Sequence, residues 1–393
     1  RAPSPVFSGR SALSRAPRCA APVGPGHAVL LVPVPCLGPP GLLPVTLLGI
    51  AGTLLFVLGR RIASVWVGVL AWMIWLGLAS PTTTFRPSYF SEMLTQTLWL
   101  AGWWALLRWR QGGRLGHLLL IAACIGWMAI SRPLTAVAFA TPVGAAVLYL
   151  AWRRAAWAQL SAAVALGICF LAIVPLWSAR TTGSWRVTPL MLYTDQYMPY
   201  DVPGFGLRER PLLREASPEI SCFERIYGSA HKWHAPEAIP ADMYERTHET
   251  INAFFTDRRR GLLIFAALGI LASPVELGFL LATCVVLVLA YTSYAHNADW
   301  TVYYLETQPV CALLAGAGIW VVLSAIGLRW RHPRSDETPR AAGIERANCG
   351  MLALELLALP PSHHAVPRVP PLTATAHRPR RRSRPRGTSA TRP

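Results

Sequence analysis

A small set of polar side chains in an otherwise apolar chain has the types needed to take a proton and to hold an anion. Glu92 is the first carboxylate in the sequence and opens an apolar run in "FRPSYFSEM". Arg132 follows in "SRPLTA". The stretch "MLYTDQYMPYDVPGFG" gathers Tyr193, Asp195, Tyr197 and Asp201, and "DRRRG" holds Arg258 and Arg259. "NADWTVYYLETQP" brings Tyr303, Tyr304 and Glu306 to the start of the last long apolar run. Carboxylates can bind sugar hydroxyls or accept their protons. Arginines offer charge-assisted, bidentate hydrogen bonds to phosphate, and tyrosine rings can stack on sugars while their hydroxyls hydrogen-bond.

Each group also has a plainer reading. Tyr and Pro beside a membrane form interfacial belts, and Arg or Glu at a span edge can reach headgroup water by snorkelling. An ionisable group at membrane depth is costly unless paired. That makes Glu92 a functional candidate, with Arg132 as its partner. Gly204 and Gly206 flank Phe205, which suits a tight turn or a close backbone approach. "HKWHAPE" sets His231, His234 and Glu237 at a spacing of three and three, but Pro236 interrupts the helical geometry a metal would need. Solvated loop histidines are the expectation there, and no metal ligand is assigned.

The elements that must position these groups are membrane helices. The chain has 393 residues, 53% of them hydrophobic and only 14% charged, with a mean hydropathy of +0.36. Soluble domains carry about 25% charged residues, so the balance describes a polytopic membrane protein. The net charge of +18 is almost all arginine, with Lys232 the single lysine. Arginine at membrane edges accounts for it without a nucleic-acid partner. The eight cysteines form no CxxC pair and no loop framework, which indicates neither zinc nor disulfides.

A span needs about 20 apolar residues. On that rule spans are expected at Leu42–Gly59, Ile62–Ser80, Ser91–Leu107, His117–Ile130, Leu134–Trp152, Trp157–Ser178, Gly261–Ala272, Val275–Tyr294 and Leu305–Leu328. The His117 and Gly261 segments are the shortest. Residues 1–41 and 329–393 read as disordered or non-native basic ends; because the chain opens on Arg1, it is expected to lack an N-terminal part. Residues 42–178 and 261–328 then hold the helices, and 179–260 form one long loop.

Cytoplasmic loops accumulate arginine. Arg60 and Arg61, then Arg108, Arg110 and Arg114, then Arg153 and Arg154, and finally "LRWRHPR" fall on one side under this count. The long loop, the Arg132 turn and the segment before the last span take the opposite, outer face. "DRRRG" is the exception, either because Gly261–Ala272 is re-entrant or because its arginines meet an anionic ligand.

The order "SYFSEMLTQTLWLAGWWALLRWR", "ISRPLTAVAFATPVG", "TTGSWRVTPLMLYTDQYMPYDVPGFG", then "YYLETQP" followed by "ALLAGAG" resembles bacterial GT-C glycosyltransferases. It is similar in particular to the family 39-like membrane proteins related to dolichyl-phosphate-mannose protein mannosyltransferases, over about Leu42 to Leu328. The resemblance implies an all-α, GT-C-like bundle of about eight or nine transmembrane helices in a bacterial plasma membrane, with one long outer loop. It implies inverting transfer of a sugar from a polyprenyl-phosphate donor to a lipid, glycan or protein. In that family a carboxylate activates the acceptor hydroxyl, while basic side chains, sometimes with a divalent metal, offset the leaving phosphate. Glu92 and Asp201 then become the candidate catalytic carboxylates. Tyr193, Asp195, Tyr197, Arg132, Arg258, Arg259, Tyr303, Tyr304 and Glu306 become substrate-binding candidates.

Two positions depart from the family pattern. No carboxylate precedes Glu92, where relatives carry a catalytic one in the first outer loop, and Val302 stands where relatives often carry Arg. A transporter or flippase for a lipid or small anion, and a non-catalytic membrane component, are the competing readings. The absence of a clear internal repeat and the gathering of polar residues at one face weigh against transport.

Overall fold

Every regular element among the described residues is helical, as the long apolar runs require. A computed structural model describes residues 25–31, 42–77, 91–198, 204–206, 228–256, 259–272 and 275–326. All belong to one compact unit, Arg1–Thr338; the second unit, Pro339–Pro393, lies outside the described residues. Asp201 and Arg258 also lie outside them.

The helices are α1 (Pro25–Leu31), α2 (Leu42–Ile62), α3 (Val65–Gly77), α4 (Glu92–Gly112), α5 (Leu115–Ser131), α6 (Pro133–Arg153), α7 (Trp157–Thr182), α8 (Pro189–Tyr197), α9 (Ile239–Phe254), α10 (Gly261–Leu271), α11 (Val275–Tyr291) and α12 (Gln308–Ala325). Residues 228–233 are also helical. Short 3-10 helices cover Pro236–Ala238 and Thr301–Thr307.

Among the described residues four segments are long and apolar enough to cross a bilayer: Leu42–Ile62, Pro133–Arg153, Trp157–Thr182 and Thr301–Ala325. The chain is thus a multi-pass, all-α protein. The pair α10 and α11 makes a fifth if counted together, but it bends by 120° at its break. Fewer helices than the eight or nine expected therefore reach spanning length alone. The 13 residues of α3 extend only about 20 Å, against a hydrocarbon core of about 30 Å. α10, with 11 residues, is shorter still and does not run straight into α11.

α4 is the central element. Of its 21 residues, 13 are buried, among them Trp99, Trp103 and Trp109. Gly102 makes this packing feasible, since a Cβ there would come within 2.6 Å of the Phe139 ring of α6. Phe139 instead lies 4.7 Å from Trp99, ring centre to ring centre. α4 and α5 form a hairpin closed by Gly113, whose left-handed φ of 60° lets its N–H reach the Trp109 carbonyl.

At the far end of α5, Pro133 supplies no N–H and forces the residue before it out of helical geometry. Arg132 accordingly sits at φ −140° and ψ 84° between two helices. Small residues set a second close contact: Gly269 of α10 lies against Leu314 of α12, and Gly318 against Phe265. Side chains at those glycines would collide with the opposing backbone.

Pro25–Leu31 form α1 instead of the unstructured end that composition suggests, because Gly26 lets the backbone approach Ser131 and accept a 3.0 Å hydrogen bond from Trp127 Nε1.

Candidate functional site

The turn between α5 and α6 places Arg132 in the protein interior, at 9% exposure. Such a charge needs partners, and the neighbouring elements supply them. Nη1 lies 3.3 Å from Glu306 Oε1 and 3.7 Å from Glu92 Oε1. Nη2 donates to the Tyr291 hydroxyl at 3.1 Å, which is itself 2.9 Å from the Thr135 hydroxyl. Thr95, one turn along α4 from Glu92, donates to Glu306 Oε1 at 2.6 Å. Gln96 Nε2 donates to the Leu305 carbonyl, tying α4 to the 3-10 segment. The guanidinium also stands 5.6 Å from the Tyr303 ring centre and 5.9 Å from that of Tyr291, within cation–π range.

Seven residues of 3-10 helix are unusual, because this geometry is rarely sustained beyond a turn and often marks a functional segment. Here Thr301–Thr307 turns Tyr303, Tyr304 and Glu306 into the same interior, and α12 follows from Gln308 with Pro309 in its first turn. The Tyr303 ring packs 5.2 Å from Tyr291 and 4.7 Å from His296. One guanidinium thus faces two carboxyl groups, and each carboxyl keeps a buried oxygen, Oε2, with no hydrogen-bond partner. Such acceptors are costly to leave alone. They are chemically suited to hydroxyl donors or to a proton.

A second polar chain runs beside the first. His296 Nδ1 faces the Asn297 carbonyl at 2.8 Å and therefore carries the hydrogen, so the Tyr304 hydroxyl donates to Nε2 at 3.0 Å. Burial, together with the nearby Arg246 guanidinium, pushes the His296 imidazole down to about 3. Arg246 of α9 is 3% exposed and donates to the carbonyls of Tyr291 and His296. It also lies 3.9 Å from Asp242, which meets His234 Nδ1 at 2.9 Å.

The Gly204–Gly206 segment closes over that histidine. Both glycines adopt positive φ, Gly204 N–H reaches Ser293, Gly206 N–H reaches the His234 carbonyl, and Phe205 stacks on the His234 ring at 4.9 Å. His231, His234 and Glu237 do not come together around an ion; among the described residues no group of three or more His, Cys, Asp or Glu side chains does.

The sequence candidates therefore separate. Glu92, Arg132, Tyr303, Tyr304 and Glu306 come together. Tyr193 and Tyr197 pack on each other at 5.1 Å along α8, with Asp195 exposed, and α8 contacts α7. Arg259 has a buried Nη1 with no hydrogen-bond partner.

Sequence reasoning missed Tyr291, Thr95, Thr135, His296 and Arg246. Thr95 was findable, since it shares a helix face with Glu92 at i+3. Tyr291 was hidden because an aromatic ending an apolar run reads as an interfacial belt residue. No family model, no curated protein and no solved structure matches the chain.

Proposed function

We propose that the chain is a GT-C-like membrane transferase that moves a sugar from a polyprenyl-phosphate donor to a lipid, glycan or protein hydroxyl. The observation that carries this reading is the meeting of Glu92, Arg132, Tyr303, Tyr304 and Glu306, from three separate stretches, in one buried cluster. The resemblance of the motif order supplies the reaction class. In that reaction the acceptor oxygen bonds to the anomeric carbon and its proton passes to a carboxylate, Glu92 or Glu306. The bond from the anomeric carbon to the phosphate oxygen breaks, and its electrons stay with the lipid phosphate.

Arg132 offsets the charge that develops on that phosphate. The aromatic group around it, Tyr291, Tyr303 and Tyr304, excludes water and can stack on the sugar. The cluster faces the outer side, by the arginine pattern of the opposite end. Asp201, which lies outside the described residues, is kept as a third candidate carboxylate on the strength of the motif order alone.

The test is sugar transfer from a labelled polyprenyl-phosphate donor by the purified chain in detergent, with Glu92→Gln, Glu306→Gln and Asp201→Asn variants. Loss in the Glu92 and Glu306 variants is expected, by about 100-fold or more for a general base. Undiminished transfer in both removes the assignment of these carboxylates, and a wild-type chain that binds no donor removes the reaction.

A second reading has its own support: a buried charge cluster together with a broken helix pair at 120° also suits a transporter. Flux of a lipid or small anion in proteoliposomes, abolished by Arg132→Gln without any transfer chemistry, would favour it.

A further inference from the structure

The end of the bundle opposite the Arg132 cluster carries a different arrangement of arginines. α2 ends in Arg60 and Arg61, α4 in Arg108 and Arg110, and Arg114 lies in the turn to α5. Arg61, Arg108 and Arg114 all fall within electrostatic reach of His117, and Arg61 and Arg108 within reach of each other. Like charges so placed repel unless something negative lies among them.

Among the described residues none of these three arginines makes an ion pair. Glu276, a carboxylate at this end, is bound to Arg110 at 3.0 Å. Two buried polar atoms of the group lack hydrogen-bond partners, Arg61 Nε and His117 Nδ1. Trp104 forms one wall, with its ring 5.6 Å from His117 and 6.0 Å from the Arg108 guanidinium carbon. Beside Arg114, Gly113 lines a cleft of about 300 Å³ with Trp109, Arg154 and Gln159. Arg154 is occupied there, donating to the carbonyls of Trp109 and Arg110.

We infer that Arg61, Arg108, Arg114 and His117 form a binding site for the phosphate of an anionic phospholipid headgroup. A phosphate offers the negative charge and acceptor oxygens that the orphaned donor and the three guanidinium groups require. Its acyl chains would lie along the apolar sides of α2 and α5, whose charged ends form the site. The inference concerns the far end of α4, about 30 Å from Glu92 along the helix axis, and does not depend on the transferase reading.

The test uses the full chain in a neutral detergent, with equal amounts of phosphatidylglycerol and phosphatidylcholine, read by native mass spectrometry. Preferential retention of phosphatidylglycerol by about tenfold is expected, weakening as salt is raised. Arg61→Gln with Arg114→Gln should abolish the preference. Arg60→Gln with Arg153→Gln, which removes two exposed charges from the same end, should leave it.

Equal retention of both lipids by the wild type overturns the inference, as does equal loss in the two double variants, which would reduce the effect to diffuse charge. Should the first double variant fail to fold, a wild-type preference that does not respond to salt overturns it equally. Inorganic phosphate is the remaining arm. If it raises the melting temperature while neither lipid is preferred, the ligand is a free anion and the lipid assignment falls.

Discussion

The two ends of α4 use arginine in opposite ways. At the Glu92 end a single arginine, Arg132, is almost completely buried and is met by two carboxyl groups, a tyrosine hydroxyl and two aromatic rings. At the Arg110 end several arginines stand in half-buried or exposed positions, and Arg61, Arg108 and Arg114 gather near His117 with no ion pair among the described residues. Arginines counted along a sequence look alike. The difference lies in desolvation: a charge removed from water must bring its counter-charges with it, whereas one at the bilayer edge can take them from solvent or lipid.

The comparison breaks most sharply at Arg132. Arg132→Met leaves Glu92 and Glu306 buried without their cation and is expected to cost about 3–5 kcal/mol, seen as a large drop in melting temperature in detergent. Adding Glu92→Gln and Glu306→Gln should restore most of it. A single variant that melts like the wild type would mean the buried charges are compensated elsewhere.

The two carboxyls should not be equivalent. Glu306 is the more deeply buried, lies closer to Arg132 and accepts from Thr95, whereas Glu92 is 3.7 Å from the guanidinium. Glu306→Gln is expected to destabilise by about 1–3 kcal/mol, and more than Glu92→Gln. Equal melting temperatures for the two variants would contradict this ranking.

pH gives a smaller, continuous lever at the same end. The His296 imidazole is held down to about 3 in the folded protein, while an unfolded imidazole takes its proton near about 6.5. Folded-state stability is therefore unaffected by this group above the higher value. It falls as pH drops below it, by up to about 1.4 kcal/mol per pH unit until the folded imidazole itself protonates. Melting temperature should decline from neutral pH into this window, with a shallower decline in His296→Gln; an unchanged slope in that variant would assign the effect to other groups. The smallest effect belongs to the opposite end, where exposed Arg114→Gln should change stability by no more than about 0.5 kcal/mol. A larger loss in lipid-free detergent would show that the arginine end is structural as well.

Much of the framework was legible because it follows from hydrophobicity and local backbone chemistry. The apolar runs beginning at Leu42, Leu134 and Trp157 became α2, α6 and α7 within a few residues. Pro133 marks a turn for reasons local to the chain. The pairing of Arg132 with Glu92 followed from cost, since each needed a partner at the same depth. Ser91–Leu107 is helical as expected, but its place as the most buried helix could not be read, because a protein interior and a bilayer accept similar apolar side chains. Tyr193, Asp195 and Tyr197, attractive by type, lie on a short helix packed against α7.

The sequence by itself determined that the chain is a helical, multi-pass membrane protein, and where its charges could and could not be left. Composition and periodicity act residue by residue, so that information survives without a fold. Tertiary structure alone decided which of the scattered polar groups meet. Glu306 is 174 residues from Arg132 and 211 from Thr95, and no local preference encodes such a distance. Helix packing through Gly102, Gly269 and Gly318, together with the turn before Pro133, sets the depth and direction from which each side chain arrives.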